Sequence, residues 1–401
     1  MTSRRLQFLA IFFTVFIDIL GFGIVIPVLP LYAEHFGATP VAIGWLIGIF
    51  SLMQFIFAPV WGKISDRHGR KPVLVVGMAG TAAGYLLMGF AGSLLMLFVA
   101  RVIDGIAGAN IGAAQAYLAD ISKPDERAKA MGLVGAAFGL GFVFGPALGG
   151  WAGATFHYST PMFIAAGLSL ANLAFVTFYL PESLPPEKRG GGGRAGAAEV
   201  LRHIRAADFL WGAGAYCAAI IGFSMLTTLF ALYLAHRFGI DARGTGFILA
   251  GIGIIGILIQ GGLIGRLAKT FGEGRLAVAG CLTMAAGLGI LAVAREVPLM
   301  LTAAALAGIG NSLVVPSLNA LASRAADERW QGRALGLMQS AGSLARFVGP
   351  MLAGLLLAAG SSLPYAGLAF LVSAAILLVA AIICLPLARR TPASDPVKSL
   401  P

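Results

Sequence analysis

The sequence predicts an all-α membrane protein whose twelve transmembrane helices form two six-helix bundles related by an internal repeat. Three observations predict this fold class: an apolar composition, twelve long hydrophobic stretches, and glycine and proline marks that recur at about half the chain length. Hydrophobic residues make up 58% of the 401 residues and charged residues 11%, against about 25% charged residues in soluble domains. The mean hydropathy of +0.89 therefore excludes an ordinary water-soluble protein.

The hydrophobic stretches define the predicted spans. Each is about 20 residues or longer, which is enough for a helix to cross a bilayer, and each is continuous rather than alternating, which favours helices over barrel strands. Spans 1 to 6 are predicted at residues 6–32, 41–61, 73–91, 94–119, 130–153 and 161–181. Spans 7 to 12 are predicted at residues 209–235, 245–266, 275–294, 298–322, 333–358 and 364–388.

The internal repeat relates the two halves of the chain. The recurring marks are Gly62 with Gly265, Gly69 with Gly272, Gly132 with Gly336, Gly145 with Gly349, and Pro146 with Pro350. A duplicated bundle with a site where the halves face each other is typical of secondary transporters. We therefore predict an N-terminal bundle at 1–181, a flexible cytoplasmic linker at 182–208, and a C-terminal bundle at 209–401 with a short cytoplasmic tail.

The net charge of +11 indicates orientation rather than a polyanionic partner. If both termini are cytoplasmic, 23 of the 28 Lys and Arg residues lie on the inside, as the positive-inside rule expects. The basic residues are scattered over short segments, so nucleic-acid binding is not expected. Three widely spaced cysteines, and histidines without ligand spacing, predict neither a disulfide framework nor a metal site.

The connection after span 2 carries an ordered set of glycines and charges, Gly62-Lys63-Ile64-Ser65-Asp66-Arg67-His68-Gly69-Arg70-Lys71-Pro72. Cations that anchor a loop to the cytoplasmic side would explain the lysines and Arg67. They do not explain the spacing of Asp66 and Arg70 between the glycines. The pattern G-x-x-x-D-R-x-G-R-K resembles the loop motif of the major facilitator superfamily, and the resemblance extends over nearly the whole chain.

The resemblance implies a conformational latch on the cytoplasmic side. Its loop acid is expected to meet the neighbouring arginine, an acid at the end of span 4, and the N-terminus of span 11. A helix N-terminus attracts a carboxylate by about 0.3–2 kcal/mol, which is enough to bias two global states. The predicted latch residues are Gly62, Asp66, Arg67, Gly69, Arg70, Lys71 and Asp120. The second copy has Lys269 in place of the acid, so the latch is predicted to be asymmetric.

Span 5 is rich in small residues. Its marks are Gly132, Gly141, Gly145, Pro146, Gly149 and Gly150. Glycines at four-residue spacing allow a neighbouring backbone to approach closely, and a proline inside a helix predicts a kink. Tight packing alone would explain these residues. The complete spacing resembles the antiporter signature of the superfamily, which implies exchange of substrate for protons.

Spans 1 and 4 carry charges inside the membrane, where each charge is costly and often functional. Asp18 begins a D-x-x-G-x-G-x-x-x-P-x-x-P pattern that resembles drug exporters. It is predicted to carry protons, and a permanently paired structural acid is the alternative. Arg101 and Asp104 lie one helical turn apart and are able to meet. Arg101 matches an arginine linked to proton transfer, while Asp104 is either a proton site or the counter-charge of Arg101.

Polar residues in other spans are candidates for a substrate cavity. They are Gln54, Asn110, Gln115, Asn311, Gln339 and Arg346. Hydrogen bonding between helices explains any of the neutral ones equally well. Arg346 has no obvious partner in its own span, and it is expected to pair with Asp18 or Asp104 or to face an anionic substrate.

Within the superfamily the chain most resembles the tetracycline efflux proteins, through stretches such as 52–59, 66–74 and 180–183. It departs from them at three places. They carry an acid in span 3 where this chain has Gly84, and a second acid in span 9, where this chain has none. They also have a histidine in span 8, which is absent here. The resemblance implies proton-coupled export of a small amphipathic drug by alternating access in a bacterial cytoplasmic (inner) membrane. The alternatives are a metabolite symporter or facilitator, a lipid flippase, and a non-transporting sensor.

The expected partners are a small-molecule substrate, protons and the lipid bilayer, and the chain is expected to act as a monomer. No nucleophile–base pair, metal cluster or nucleotide-binding loop is evident in the sequence, so no enzymatic activity is predicted. The proton gradient is the expected energy source and no cofactor is predicted, although the transported substrate could be a metal chelate.

Overall fold

The computed structural model describes residues 3–108, 111–122, 127–190, 206–327, 330–360 and 363–390. In these residues, twelve helical segments are long and apolar enough to cross a membrane. The all-α fold with twelve spans that the sequence predicts is confirmed.

The helices follow the predicted spans closely. The first half contains α1 Ser3–Val25, α2 Leu29–His35, α3 Pro40–His68, α4 Arg70–Gly89, α5 Leu94–Ala107, α6 Ile111–Ile121, α7 Arg127–Thr155 and α8 Thr160–Tyr179. The second half contains α9 Ala206–Phe238, α10 Ala242–Leu258, α11 Ile264–Phe271, α12 Glu273–Val293, α13 Val297–Arg324, α14 Gln331–Ala358 and α15 Gly367–Arg390. A π-helical segment, Ile259–Leu263, joins α10 to α11, and a short 3₁₀ helix covers Pro186–Lys188.

Two boundaries differ from the prediction. Span 1 is divided into α1 and α2 around Pro27, which has no backbone N–H to continue the helical ladder. Span 4 is described as α5 and α6, and residues 109–110 between them lie outside the described part of the chain. The predicted loop 62–72 is almost entirely helical, because α3 continues to His68 and α4 begins at Arg70. A single glycine, Gly69, makes the turn with a φ of +108°, which favours a residue without a Cβ.

The chain divides into two compact units, Met1–Gly193 with Phe230–Gly253, and Arg194–Leu229 with Ile254–Pro401. The segment Phe230–Gly253, which comes from spans 7 and 8, therefore groups with the first unit. His236 of this segment lies 2.8 Å from the carboxylate of Glu34 (Nε2–Oε1), and Arg243 donates to the hydroxyl of Thr155 at 2.8 Å. The six-plus-six division into bundles stays a prediction.

Each unit has its own packed interior. In the first unit, buried apolar side chains from α1, α4, α6, α7 and α8 form one cluster that includes Leu74 and Tyr117. In the second unit, α12 packs against α13 and α15. A Cβ on Gly287 of α12 would lie 2.6 Å from the carbonyl oxygen of Ala303. Glycine therefore permits close approach of helix backbones in this unit.

Candidate functional site

A buried ion pair lies inside the first unit. Nη1 of Arg101 is 3.1 Å from Oδ2 of Asp104, and the two side chains are only 2% and 3% exposed. Both residues lie on α5 at a spacing of three, so one helical turn brings them together. The guanidinium carbon also lies 4.3 Å from the ring centroid of Phe50 on α3. Nε of Arg101 is buried without a hydrogen-bond partner among the described residues.

A second carboxylate lies next to this pair. Asp18 of α1 is partly exposed and close enough to Asp104 for the two carboxylates to repel each other. Asp104 also forms a side-chain hydrogen bond with Thr81 of α4. The Tyr85 hydroxyl lies near both acids. These residues form what we call the buried charge cluster: Asp18, Thr81, Tyr85, Arg101 and Asp104.

The buried charge cluster holds two carboxylates for one guanidinium. In surroundings of low dielectric, like charges repel strongly, and removal from water penalises every charged form. A second carboxylate beside the Arg101–Asp104 pair is therefore costly in these surroundings. Such a group of interacting sites is suited to coupling proton uptake to a conformational change.

The predicted latch residues meet at the junction of α3 and α4. The Arg70 guanidinium bridges two acids, with 2.5 Å to Asp66 Oδ1 and 3.2 Å to Asp120 Oδ2 at the end of α6. It also donates to the hydroxyl of Ser65 at 3.1 Å. The structure thus brings together the residues that carry opposite charges in the predicted latch.

The remaining latch residues have separate positions. Gly62 lies inside α3, Gly69 makes the turn, and Arg67 is exposed. The Lys71 ammonium donates to the carbonyl oxygen of Thr177 on α8 at 2.8 Å. The contact that the resemblance implies between Asp66 and the start of span 11 stays a prediction.

Glu182 is a residue of this junction that the sequence analysis did not select. Its carboxylate accepts hydrogen bonds from the backbone N–H groups of Arg70 at 2.8 Å and Lys71 at 3.1 Å. These are the first two residues of α4, so Glu182 satisfies orphan donors at a helix N-terminus and complements its partial positive charge. The carboxylate also fills the space beside Gly69, where a Cβ would collide with it.

The start of the predicted linker is bound to the first unit. Ser183 donates to Asp120 at 3.1 Å, and the backbone N–H of Gly190 donates to the carbonyl oxygen of Asp66 at 3.0 Å. The expected flexibility therefore does not extend to residues 182–190, because hydrogen bonds fix them to the α3–α4 junction. Residues 191–205 lie outside the described part of the chain.

The glycines of α7 form two contact faces. Gly141, Gly145 and Gly149 pack against α1, and a Cβ on Gly145 would lie 2.7 Å from the carbonyl oxygen of Leu20. On another face, Gly150 meets the backbone of Ala242 in α10. Small residues at both contacts allow α7 to approach two helices of the first unit closely.

Two further residues of the antiporter signature are Pro146 and Gly132. A Cβ on Gly246 of α10 would collide with the carbonyl oxygen of Pro146, so Pro146 belongs to the contact with α10. The helix α7 continues through Pro146, and the kink expected there stays a prediction. Gly132 is exposed, and a Cβ on it would have no neighbour within 4 Å.

The predicted cavity residues do not form one site. Gln54 donates to the carbonyl oxygen of Gly108 at 3.1 Å, so it joins α3 to the end of α5. Gln115 and Gln339 are exposed, and Asn311 is partly exposed. The Asn311 Oδ1 atom is buried without a hydrogen-bond partner among the described residues. Asn110 lies outside the described residues.

Arg346 lies in α14 of the second unit and has neutral partners there. Its Nη2 donates to the hydroxyl of Ser343 at 3.0 Å, and the guanidinium forms a side-chain hydrogen bond with Tyr216 of α9. The expectation that it has no partner in its own helix is wrong, because Ser343 is one turn away and its hydroxyl faces the guanidinium. Its pairing with Asp18 or Asp104 stays a prediction.

Comparisons with known proteins agree with this arrangement of helices. The family model of the Major Facilitator Superfamily matches residues 11–350 and 261–400. The protein belongs to the Major Facilitator Superfamily. Such proteins are membrane transporters of small molecules and are not enzymes, so the prediction that this superfamily member is not an enzyme is confirmed.

Relatives of this superfamily member include two kinds of resistance protein. The class C tetracycline resistance protein of Escherichia coli is 34% identical over 398 residues, covering 94% of this chain and 95% of the relative. Multidrug resistance protein 1 of Bacillus subtilis is 29% identical, covering 89% and 91% of the two chains. The resemblance to drug efflux transporters is therefore confirmed.

The fold of this superfamily member is also found among solved structures. A bacterial homologue of the human lysosomal transporter Spinster superimposes with a TM-score of 0.80 at 18% identity, and the alignment covers 97% of each chain. At this identity the likeness establishes the fold alone.

Sequence reasoning missed three members of the sites: Thr81, Tyr85 and Glu182. Glu182 directly follows span 6, and its stretch 180–183 already resembles that of the tetracycline efflux proteins. An acid at the end of a span, with no oppositely charged partner nearby in sequence, is the feature that could have indicated a contact of Glu182 with another helix. Thr81 and Tyr85 gave no such signal, because polar residues inside a span are usually explained by helix packing.

Proposed function

We propose that this protein exports a small amphipathic drug, tetracycline-like or of broader range, in exchange for protons by alternating access. The observation that carries the proposal is the buried charge cluster, in which Asp18 lies near the Arg101–Asp104 ion pair inside membrane-spanning helices. The names of the relatives, tetracycline resistance protein and multidrug resistance protein, support the drug as substrate class.

The proton-coupling residues of this proposal are Asp18, Arg101 and Asp104. When the cluster is dry, one of the acids holds a proton. When the site opens to water, hydration stabilises the charged carboxylates and releases that proton. Asp18 is the main carrier, since it is the partly exposed member of the cluster. Asp104 and Arg101 set the electrostatic field in which Asp18 gains and loses its proton.

The latch and the α7 glycines have separate roles in the proposal. The α3–α4 junction stabilises one conformation through the Arg70 bridge between Asp66 and Asp120. The α7 glycines keep α1 and α10 close during transport. Substrate contacts come from some of the residues selected in the sequence analysis, Gln54, Asn110, Gln115, Asn311, Gln339 and Arg346.

Several finer features belong to the same proposal. The protein acts as a monomer in a bacterial cytoplasmic membrane with both termini in the cytoplasm. The two bundles, 1–181 and 209–401, move about the linker 182–208. The proton gradient drives transport without a cofactor, and a metal chelate is among the candidate cargoes.

A drug-susceptibility panel in an efflux-deficient bacterium tests the proposal. Expression should raise the inhibitory concentration of tetracycline or other amphipathic drugs, and a protonophore should abolish accumulation of those drugs by everted membrane vesicles. The vesicles also exclude indirect effects on growth. Transport that persists unchanged after the proton gradient collapses would contradict proton coupling.

A further inference from the structure

The second unit contains a membrane-helix cation without an acidic partner among the described residues of that unit. The two hydrogen-bond partners of Arg346, Ser343 and Tyr216, are neutral hydroxyl groups. They satisfy N–H donors but leave the charge uncompensated. By contrast, Arg324 of the same unit pairs with Glu273. An uncompensated cation in the membrane is costly, so its presence calls for a reason.

The guanidinium is positioned by packing between α9 and α14. Tyr216 is 2% exposed, and its ring lies against Gly342. A Cβ on Gly342 would lie 2.9 Å from Cε1 of Tyr216 and 3.4 Å from Nη1 of Arg346. Glycine at this position therefore lets the tyrosine reach the guanidinium, and the bulky ring limits the positions that the arginine adopts.

The fold does not require a charge at this position. Gly145-Pro146 of α7 correspond to Gly349-Pro350 of α14 in the internal repeat, so Phe142 corresponds to Arg346. The ring of Phe142 packs near that of Phe22, with 6.5 Å between centroids. An apolar side chain thus fills the equivalent position of the first unit, and the charge of Arg346 serves a purpose other than packing.

Arg346 ends a polar stripe on α14. Gln339, Ser343 and Arg346 are spaced by four and three residues, which places them on one face of the helix. The Ser343 hydroxyl donates to the carbonyl oxygen of Gln339 at 3.1 Å while accepting from Arg346, so its own hydrogen bonds are satisfied. Arg346 is partly exposed and Gln339 is exposed, so neither side chain is enclosed by the described residues.

We propose that Arg346, positioned by Tyr216 and Ser343, binds an anionic group of the exported substrate, so that the substrates are acids or zwitterions. A guanidinium presents paired N–H donors that match the two oxygens of a carboxylate, and the bound anion offsets the cost of the lone cation. The proposal rests on the proposed export function and names its substrate class. A free anion such as chloride has the same charge, and the test below distinguishes it.

Two dyes with the same xanthene scaffold provide the test: fluorescein, which is anionic, and rhodamine 123, which is cationic. Binding to the purified full-length protein is measured by fluorescence anisotropy, and uptake is measured in energised everted vesicles. We expect Arg346→Gln to weaken fluorescein binding at least tenfold, Arg346→Lys to recover part of it, and rhodamine 123 binding to change less than twofold. Arg333→Gln, a change at an exposed arginine of the same helix, is the matched control.

Tyr216→Phe tests the positioning role. It removes the hydroxyl but keeps the ring, so we expect a threefold to tenfold loss of fluorescein affinity in a folded protein. Thermal unfolding of every purified variant identifies those that fail to fold. A folded Arg346→Gln protein that binds fluorescein as tightly as the unsubstituted protein would overturn the proposal.

Further outcomes separate the two proposals and the two sources of anion. Proton-driven uptake of rhodamine 123 without any binding of fluorescein would sink the anionic substrate and leave export intact. Fluorescein binding that depends on Arg346, with no proton-driven uptake of either dye, would sink export and keep the anion site. Replacing chloride by gluconate should tighten fluorescein binding slightly or leave it unchanged. A requirement for chloride would instead assign Arg346 to a free anion.

Discussion

Asp104 of α5 lies directly against Gly84 of α4, where an added Cβ would be 2.9 Å from the Cβ of Asp104. The tetracycline efflux proteins that the sequence resembles carry an acid where Gly84 stands. In this protein an acid on the facing helix occupies the adjoining space. We therefore interpret Asp104 as taking the place of the missing acid, with Gly84 providing the room that it needs.

Transfer of the acid between the two helices tests this interpretation. Asp104→Gly should reduce proton-driven drug uptake at least tenfold, because it removes a carboxylate and leaves Arg101 buried without its partner. The double variant Gly84→Asp with Asp104→Gly should recover much of the uptake, since it returns a carboxylate to the same space. Uptake in everted vesicles is the measurement. If uptake by the double variant were no higher than uptake by Asp104→Gly, the interpretation that Asp104 replaces an acid at position 84 would be contradicted.

Asp18→Asn should abolish proton movement driven by substrate, because an amide cannot carry the proton. Proteoliposomes with a pH-sensitive dye inside provide the measurement. Exchange of labelled for unlabelled substrate should persist, which shows that the variant is folded and binds. Glu187→Gln, a change at an exposed acid, is the control. Full substrate-driven proton movement in Asp18→Asn would remove Asp18 from the coupling role.

Glu182→Ala should destabilise the junction of α3 and α4. It leaves the N–H groups of Arg70 and Lys71 without their acceptor, and the loss of such a cap costs about 0.5–2 kcal/mol. We expect a lower midpoint of thermal unfolding in detergent, and a smaller decrease for Glu182→Gln, which keeps an acceptor oxygen. Glu187→Ala should have no effect. Equal stability of all three variants would show that the cap is dispensable.

Asp66→Ala should slow turnover while the protein remains folded, because it removes one of the two acids bridged by Arg70. The initial rate of drug uptake in vesicles should fall severalfold at an unchanged amount of protein in the membrane. Lys63→Ala, at an exposed position of the same helix outside the predicted latch, is the control. An unchanged rate in Asp66→Ala would show that the α3–α4 junction does not regulate transport.

Gly145→Leu should inactivate transport, because the side chain would enter the backbone of α1 at Leu20 and Gly23. Overpacking of this kind typically costs about 1–3 kcal/mol. Gly135→Leu on the same helix is the matched control, since a Cβ there has no neighbour within 4 Å. Drug resistance and the amount of protein in the membrane are measured for both. Normal resistance with Gly145→Leu would assign that glycine no role in the contact.

Much of the fold could be predicted from the sequence, because whether a segment spans the membrane as a helix depends mainly on the residues of that segment. A continuous apolar run must satisfy its backbone within one helix, so twelve runs predict twelve spans. The exact helix ends were less predictable. Gly69 turns the chain within one residue, so charged residues that look like a loop extend α3 and α4 instead. The break near Pro27 was signalled by the proline, but its position depends on packing.

Contacts between distant residues were harder to predict. The charges of the latch could be named from their pattern, and Arg101 and Asp104 from their spacing on one helix. The proximity of Asp18 to Asp104, and of Asp104 to Gly84, depends on how far α1, α4 and α5 rotate and slide against each other. Neither the spacing of residues nor the composition determines how helices are rotated and shifted against each other. The contact of Tyr216 with Arg346 could not be predicted for the same reason.

The π-helical segment Ile259–Leu263 has a consequence for the helix that contains it. A π turn accommodates one more residue than an α turn, so it displaces the angular register by about 100° for everything downstream. The α10 glycines that contact α7 precede this segment, and the basic residues Arg266 and Lys269 of α11 follow it. The faces on which the two sets lie are therefore offset by this extra rotation. Loss of a single residue from this segment would rotate Arg266 and Lys269 around the helix axis and leave the α10 glycines that contact α7 in place. Insertions and deletions here would therefore reposition the charges of α11 without disturbing the contact between α10 and α7.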